Sequence, residues 1–321
     1  MKIYDKIISK IKEYDKILIG GHKWLDLDAL GACVTTFTLC TYLNKNASII
    51  RIDEKEEKGI EKIFKDIDNK YPEIIFKYEK DLEKFDFDKT LLIMCDVNNK
   101  ELFCVTDIVK KCDVIIIDHH VINEMTLNDT VCSLISTDHS STCELLFDIL
   151  DYNNVPINSF VASLMLSGII VDTNNFNIRV GSNTFYCSAR LMEFGGSLKL
   201  SWHLFKEDLD DYKRRQSLIF NAKLYKDVAI TFSDTNIFKK EELSKCAEEL
   251  VNFEGIEASY AIAKINHNTV AISARSRQNK DVFKIIGIFG GGGHINAAAV
   301  QLKYVEVKDI RNKLINLIME R

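Results

Sequence analysis

Histidines and aspartates recur at the ends of apolar runs in this chain, and their types suit a hard metal ion or a phosphate. His22, Asp26 and Asp28 follow Ile17-Leu18-Ile19 in the stretch Gly20-Gly21-His22-Lys23-Trp24-Leu25-Asp26-Leu27-Asp28. Asp96 closes Thr90-Leu91-Leu92-Ile93-Met94-Cys95, and Asp118-His119-His120 closes Val114-Ile115-Ile116-Ile117. Asp172 ends the apolar run Ser167-Gly168-Ile169-Ile170-Val171. A solvated acid with a capping histidine accounts for any one of these. Capping the helix expected from Ala29 to Leu43 needs only one of Asp26 and Asp28. The repetition exceeds what capping requires.

Oxygen-rich donors with about one imidazole per ion favour octahedral Mn²⁺ or Mg²⁺ over a thiolate zinc site. So many carboxylates raise one another's pKa values unless divalent charge compensates them. Two ions roughly 3.5 to 4 Å apart, bridged by a carboxylate and a hydroxide, are a common device for hydrolysing phosphate esters. An acid at the carboxyl end of a helix, as at Asp172, is unfavourable and asks for a cation nearby.

The elements that position these groups follow from the same runs. Unbroken aliphatic stretches such as Val114–Ile117 read as strands buried on both faces, the kind found in parallel sheets. Alternation with helices makes the sheet parallel, and its carboxyl edge is where α/β proteins bind ligands. The pattern gives a helix through Ile3, Ile7, Ile8 and Ile11, a strand over Ser48 to Ile52 and a helix over Glu54 to Lys65. Helices follow over Ser140 to Leu150, Asn158 to Val171 and Thr184 to Phe194, the last stopped by Gly195-Gly196. Ser140, Ser141 and Thr142 are read as a helix cap.

The expected fold class is α/β: a parallel-sheet catalytic domain over 1–197 with helices on both faces, a helical connector over 198–226, and a smaller α/β domain over 227–321. In the second domain a strand near Val228 to Phe232, a helix at Lys240 to Phe253 and strands at Ser259 to Lys264 and Thr269 to Ala274 precede Arg275-Ser276-Arg277. Then comes Phe289-Gly290-Gly291-Gly292-Gly293-His294, and a helix from Val307 to Met319 closes the chain. A glycine run alone is a flexible turn. Beside Arg275 and His294, its bare amides suit a phosphate or a base edge, so it reads as a nucleotide-binding loop. His139, His203 and His267 have no partner pattern, and Lys213, Arg214 and Arg215 read as a solvated helix face.

The totals bound these readings. The 321 residues are enough for two domains, and a net charge of -5 argues against coating long nucleic acid. The nine scattered cysteines include no Cys-x-x-Cys pair and read as core residues of a reducing compartment. The first residues carry no long apolar segment, so the expectation is a soluble, cytoplasmic protein without a membrane partner.

Together, His22-x-x-x-Asp26-x-Asp28, Asp96, Asp118-His119-His120, Asp172 and Gly290-Gly291-Gly292-Gly293-His294 resemble the DHH phosphoesterase superfamily, a DHH domain joined to its associated domain. Gly168 to Phe176, with Arg179, Gly181 and Thr184-Phe185, is similar to the catalytic part of bacterial cyclic-di-AMP phosphodiesterases. Those enzymes usually add membrane, sensory and degenerate cyclase modules, and the resemblance covers their hydrolase portion alone. It implies that His22, Asp26 and Asp96 hold one Mn²⁺ and that Asp28, Asp96, His119 and Asp172 hold the other, with Mg²⁺ or Co²⁺ as substitutes. Asp96 would bridge, Asp118 would orient His119, and His120 would face the scissile phosphate during attack by a bridging hydroxide. Arg275, Gly291, Gly292, Gly293 and His294 would seat a second phosphate or an adenine. Similar proteins are commonly homodimers.

The chain departs from the pattern twice. Trp24-Leu25 stand where relatives more often carry proline or alanine, which alters packing beside the metals. Val121 stands where relatives often have arginine, leaving one phosphate contact without its usual partner. The expected activity is hydrolysis of cyclic-di-AMP to pApA; the alternatives are hydrolysis of pApA or short oligonucleotides to AMP, and a catalytically idle cyclic-dinucleotide sensor.

Overall fold

The computed structural model describes residues 2–52, 58–199, 208–277 and 280–320. His203, residues 54–57 of the helix expected from Glu54 and residues 200–207 of the expected connector lie outside the described residues. The chain divides into two compact units, Met1–Lys206 and Glu207–Arg321.

In the first unit the strands are β1 (Lys16–Gly20), β2 (Asn46–Arg51), β3 (Phe76–Tyr78), β4 (Thr90–Cys95), β5 (Asp113–Asp118) and β6 (Cys132–Ile135). They form a six-stranded sheet in the order β3-β2-β1-β4-β5-β6, with every neighbouring pair parallel. From β1 the chain steps outward through β2 and β3, then returns to β4 and steps the other way through β5 and β6. The reversal falls between β1 and β4, and the crevice at such a switch point is where open α/β sheets bind ligands.

The helices are α1 (Ile3–Glu13), α2 (Leu27–Tyr42), α3 (Lys58–Lys70), α4 (Glu79–Leu82), α5 (Thr142–Tyr152), α6 (Ser159–Asp172) and α7 (Ser182–Glu193). Alternate strand residues face opposite ways. Ile17, Ile19, Leu91, Ile93, Ile115 and Ile117 share a core with α1, α2, α3, α5, α6 and α7. Leu18, Leu92, Met94, Val114 and Ile116 pack on the other side with Leu82 of α4 and the 3-10 turn residue Ile108. Burial on both sides is why these strands are continuous apolar runs rather than alternating ones.

The second unit holds α8 (Leu209–Phe220), β7 (Lys223–Tyr225), β8 (Val228–Ile237), α9 (Lys240–Leu250), β9 (Ala258–Asn266), β10 (Thr269–Ser276), α10 (Val282–Gly287), β11 (Gly292–His294), β12 (Ala297–Lys303) and α11 (Val307–Met319). Its six-stranded sheet runs β11-β12-β10-β9-β8-β7, antiparallel except for β8 with β9. Leu218 of α8 lies in a core with α9, so this part of the stretch read as connector belongs to the second unit. Arg215 is not on a solvated face: it is buried, with Nε 3.2 Å from Glu249. Among the described residues no helix is long and apolar enough to cross a membrane. All nine cysteines are free, and all but the half-buried Cys104 and Cys112 are buried.

Candidate active site

The chain after β1, β4 and β5, at the carboxyl edge of the first sheet, carries all of the acids and histidines but Asp172, which ends α6. After β1, an isolated bridge pairs His22 with Phe103, and Lys23 N–H donates to the Leu102 carbonyl at 2.9 Å. Asp26 is the N-cap of α2 and accepts the Ala29 N–H at 3.0 Å. Its carboxylate and that of Asp96 lie 3.6 and 3.5 Å from His22 Nε2.

Asp28, in the first turn of α2, is fully buried and faces the amino end of α5. Its two oxygens accept the Thr142 N–H at 2.6 Å and the Cys143 N–H at 2.9 Å. Free N–H groups and the helix dipole both favour a carboxylate there. The approach is close: a Cβ at Gly168 of α6 would lie 2.8 Å from Asp28 Oδ1 and 2.9 Å from its Cα. Only glycine lets α6 lie this near Asp28.

Asp96 follows β4 in the left-handed region, with φ of 58°, and is 2% exposed. Its Oδ1 accepts the Thr142 hydroxyl at 2.9 Å. His119, buried after β5, places Nε2 at 2.9 Å from Asp172, 3.5 Å from Asp96 and 3.9 Å from Asp28. The approach of Asp172 to Nε2 is an ion-pair contact rather than a well-formed hydrogen bond, and Nδ1 has no hydrogen-bond partner. A buried nitrogen without such a partner among carboxylates is an arrangement a cation would satisfy. Arg179 supplies part of the cation expected near Asp172: it donates to the Asp172 carbonyl at 2.9 Å and lies 3.6 Å from its carboxylate.

Asp118 does not orient His119. Its Oδ1 accepts from His120, at 3.2 Å from the backbone N–H, and lies 2.8 Å from Nδ1. The cause is local: side chains two apart at a strand end share a side, and an aspartate readily caps the N–H two residues on. His119, between them, turns inward.

Donor atoms gather in three groups, each within 4.8 Å: His22, Asp26 and Asp96; Asp28, His119 and Asp172; Asp96, His119 and His120. Burial opposes charge on His22, but Asp26 and Asp96 outweigh it and lift the imidazole to about 10. Burial likewise opposes charge on His119, which Asp172, Asp28 and Asp96 lift to about 9. Burial and mutual repulsion push Asp28 well up, and burial raises Asp96. Burial opposes charge on Asp26 as well, but His22 holds it below the usual carboxylate range. The bond to Asp118 raises His120.

In the second unit the glycine run is not a free loop. Gly290, at φ of 78°, turns the chain, and Gly292–His294 form β11, paired antiparallel with Ala297–Ala299. Side chains at Gly291 or Gly293 would collide with backbone atoms of β12. Arg275, Gly290, Gly291, Gly292, Lys240 and Ser244 help line a cavity of about 560 Å³. Gly293 and His294 lie outside its walls. The Arg275 guanidinium already donates to Glu248 at 3.0 Å, to the Ala274 carbonyl at 2.9 Å and to Ser244.

Sequence reasoning missed the double role of Thr142. Ser141 is the cap of α5, accepting the Glu144 N–H at 3.1 Å, as the Ser-Ser-Thr run suggests. Nothing in that run announces the reach from Thr142 to Asp28 and Asp96. His139, unassigned from sequence, lies 2.8 Å from the Ser136 hydroxyl and 3.0 Å from Asp148.

The model of the DHH family, N-terminal domain, matches residues 16–169, and that of the DHHA1 domain matches residues 225–320. The chain is 30% identical over 319 residues to cyclic-di-AMP phosphodiesterase GdpP of Bacillus subtilis, covering 97% of this chain and 48% of that protein. It is 26% identical to the bifunctional oligoribonuclease and PAP phosphatase NrnA of Mycoplasma genitalium, covering 97% of this chain and 96% of that one. The chain thus spans about half the length of the cyclic-di-AMP phosphodiesterases it matches. Among solved structures, an exopolyphosphatase-related protein from Bacteroides fragilis shares the fold, with a TM-score of 0.80 at 17% identity, covering 99% of this chain and 95% of its own.

Proposed function

The chain belongs to the DHH family, with that family's N-terminal domain followed by a DHHA1 domain, and on this premise we propose a phosphodiesterase that hydrolyses cyclic-di-AMP to pApA with two divalent ions. The observation that carries the reading is Asp96, whose carboxylate belongs to two of the three donor groups. A shared carboxylate is what a paired-ion site needs, and the buried His119, with Nε2 facing Asp172, Asp96 and Asp28, could ligate an ion once its proton is displaced.

In this proposal His22, Asp26 and Asp96 hold one Mn²⁺ and Asp28, Asp96, His119 and Asp172 the other; Mg²⁺ or Co²⁺ suits the same donors. Ions bound there would supply charge that acidifies an attacking water and offsets the phosphoryl oxygens. His120 is 53% exposed, and its bond from Nδ1 to Asp118 leaves Nε2 to face a substrate. Because that bond raises the ring's pKa, Nε2 keeps a proton to give to a departing oxygen. The cavity beside Arg275 and Gly290–Gly292 would take a second phosphate or an adenine; Gly293 and His294 follow its glycine wall in sequence and pair with β12. The GdpP relatives support the cyclic substrate.

One observation favours a second reading. The NrnA relative matches along nearly its whole length, which supports hydrolysis of pApA or short oligonucleotides to mononucleotides. Product analysis with cyclic-di-AMP and pApA in parallel, with and without Mn²⁺, separates the two. Metal-dependent conversion of cyclic-di-AMP to pApA is expected. Faster release of AMP from pApA selects the second reading, and binding without cleavage of either selects a sensor.

A further inference from the structure

We propose that Trp24 is the stacking surface for the nucleobase adjoining the reacting phosphate, and so helps to set substrate preference. This inference rests on the phosphodiesterase reading above. Trp24 is a large apolar side chain that is 72% exposed, in a unit with ample core to receive it. It stands two residues from His22 and two from Asp26, whose donor atoms lie within 4.8 Å of each other and of Asp96. Cα atoms two residues apart are separated by at most about 7.6 Å, which holds the indole's backbone beside the metal-binding atoms.

That backbone is fixed on both sides. Toward the amino end, Cys104 N–H donates to the Gly21 carbonyl at 3.0 Å, His22 pairs with Phe103, and Lys23 is tied to Leu102. Toward the carboxyl end, Asp26 caps α2. An exposed aromatic on a fixed backbone loses little freedom when a flat ligand covers it. The loops after β4 and β5, which carry Asp96 and His119, also show exposed apolar side chains: Leu102, Val121 and Ile122. Exposed apolar side chains on the same loops as the charged donors match the two ends of a nucleotide, whose phosphate and base are joined through one ribose. Stacking tolerates any base, so Trp24 would distinguish base-bearing from base-free phosphodiesters.

The test compares Trp24→Ala and Trp24→Phe with the unsubstituted enzyme on cyclic-di-AMP and on its abasic cyclic analogue. Expected is a fall of about tenfold in the ratio of kcat/KM for cyclic-di-AMP over the analogue in Trp24→Ala, carried by KM, with Trp24→Phe recovering most of it. A second readout needs no turnover. In a Trp202→Phe background, where Trp24 is the remaining tryptophan, titrating AMP with Mn²⁺ present should quench fluorescence saturably, and ribose 5-phosphate should not. An unchanged ratio, or a loss equal for both substrates, overturns the stacking role and leaves Trp24 as packing beside His22 and Asp26. Failure of the unsubstituted enzyme to cleave any nucleotide would instead sink the phosphodiesterase reading, while AMP quenching would still report on Trp24.

Discussion

The backbone N–H of Thr142 lies 2.6 Å from Asp28 Oδ2, joining residues 114 positions apart in the sequence. The hydroxyl of the same threonine reaches Asp96 at 2.9 Å. Thr142 thereby sets the directions of two acids assigned to the metals.

Thr142→Val keeps the backbone bond and the shape but loses the hydroxyl. Groups that hold metal ligands in place typically contribute 10- to 100-fold in affinity or activity, and a loss of about that size is expected here. Mn²⁺ titration by calorimetry checks it; unchanged affinity and turnover would remove Thr142 from the site.

Asp96→Asn should abolish turnover while leaving the fold intact. A neutral amide also ends the repulsion that lifts Asp28, whose pKa is raised by burial and by Asp96. The variant without metal should therefore melt no lower than the parent. Thermal melts in a chelator test that, and hydrolysis at the normal rate would disprove the shared-carboxylate assignment.

The histidines give a pH dependence with a definite sign. His22 and His119 rise from the ordinary 6.5 to about 10 and about 9 in the fold, so between those values the folded chain binds more protons than the unfolded one. Metal-free stability is then greatest below 6.5 and falls as pH rises toward 9 and 10. Metal must displace the same protons, so Mn²⁺ affinity should strengthen over that window. Melts in chelator should drop from pH 6.5 to 9 while Mn²⁺ binding tightens and releases protons; melting temperatures flat with pH in chelator would contradict the assignment.

Arg275→Ala should raise KM more than it lowers kcat. The guanidinium is fixed by Glu248 and Ser244 at the wall of the cavity, so its loss removes a held cation and loosens that wall. An unchanged KM would take the cavity out of substrate binding.

The catalytic edge was largely legible because its strands are buried on both sides. Leu91–Cys95 and Val114–Ile117 leave no polar position until Asp96 and Asp118, so each acid marks a strand's carboxyl end. Short or edge strands carry no such mark. Cys132–Ile135 is four residues long at one edge of its sheet, and Gly292–His294, three residues at an edge of the other, lies in a glycine run that composition reads as a loop. The partner of Asp118 was misread because the resemblance supplies a family role, whereas the hydrogen bond is decided by strand geometry. Thr142 was missed because its contacts cross from α5 to α2 and to the end of β4, and no local pattern encodes them.

Gly168 and Gly31 let the helices bearing Asp28 and Asp172 touch almost backbone to backbone, with Cys143 between them. Carboxylates carried on elements so tightly wedged cannot spread to suit a bulkier guest. Ionic radius should thus act as a filter: calcium, which takes about six to eight oxygens at about 2.3–2.6 Å against magnesium's six at about 2.0–2.1 Å, should bind less tightly than the smaller ion.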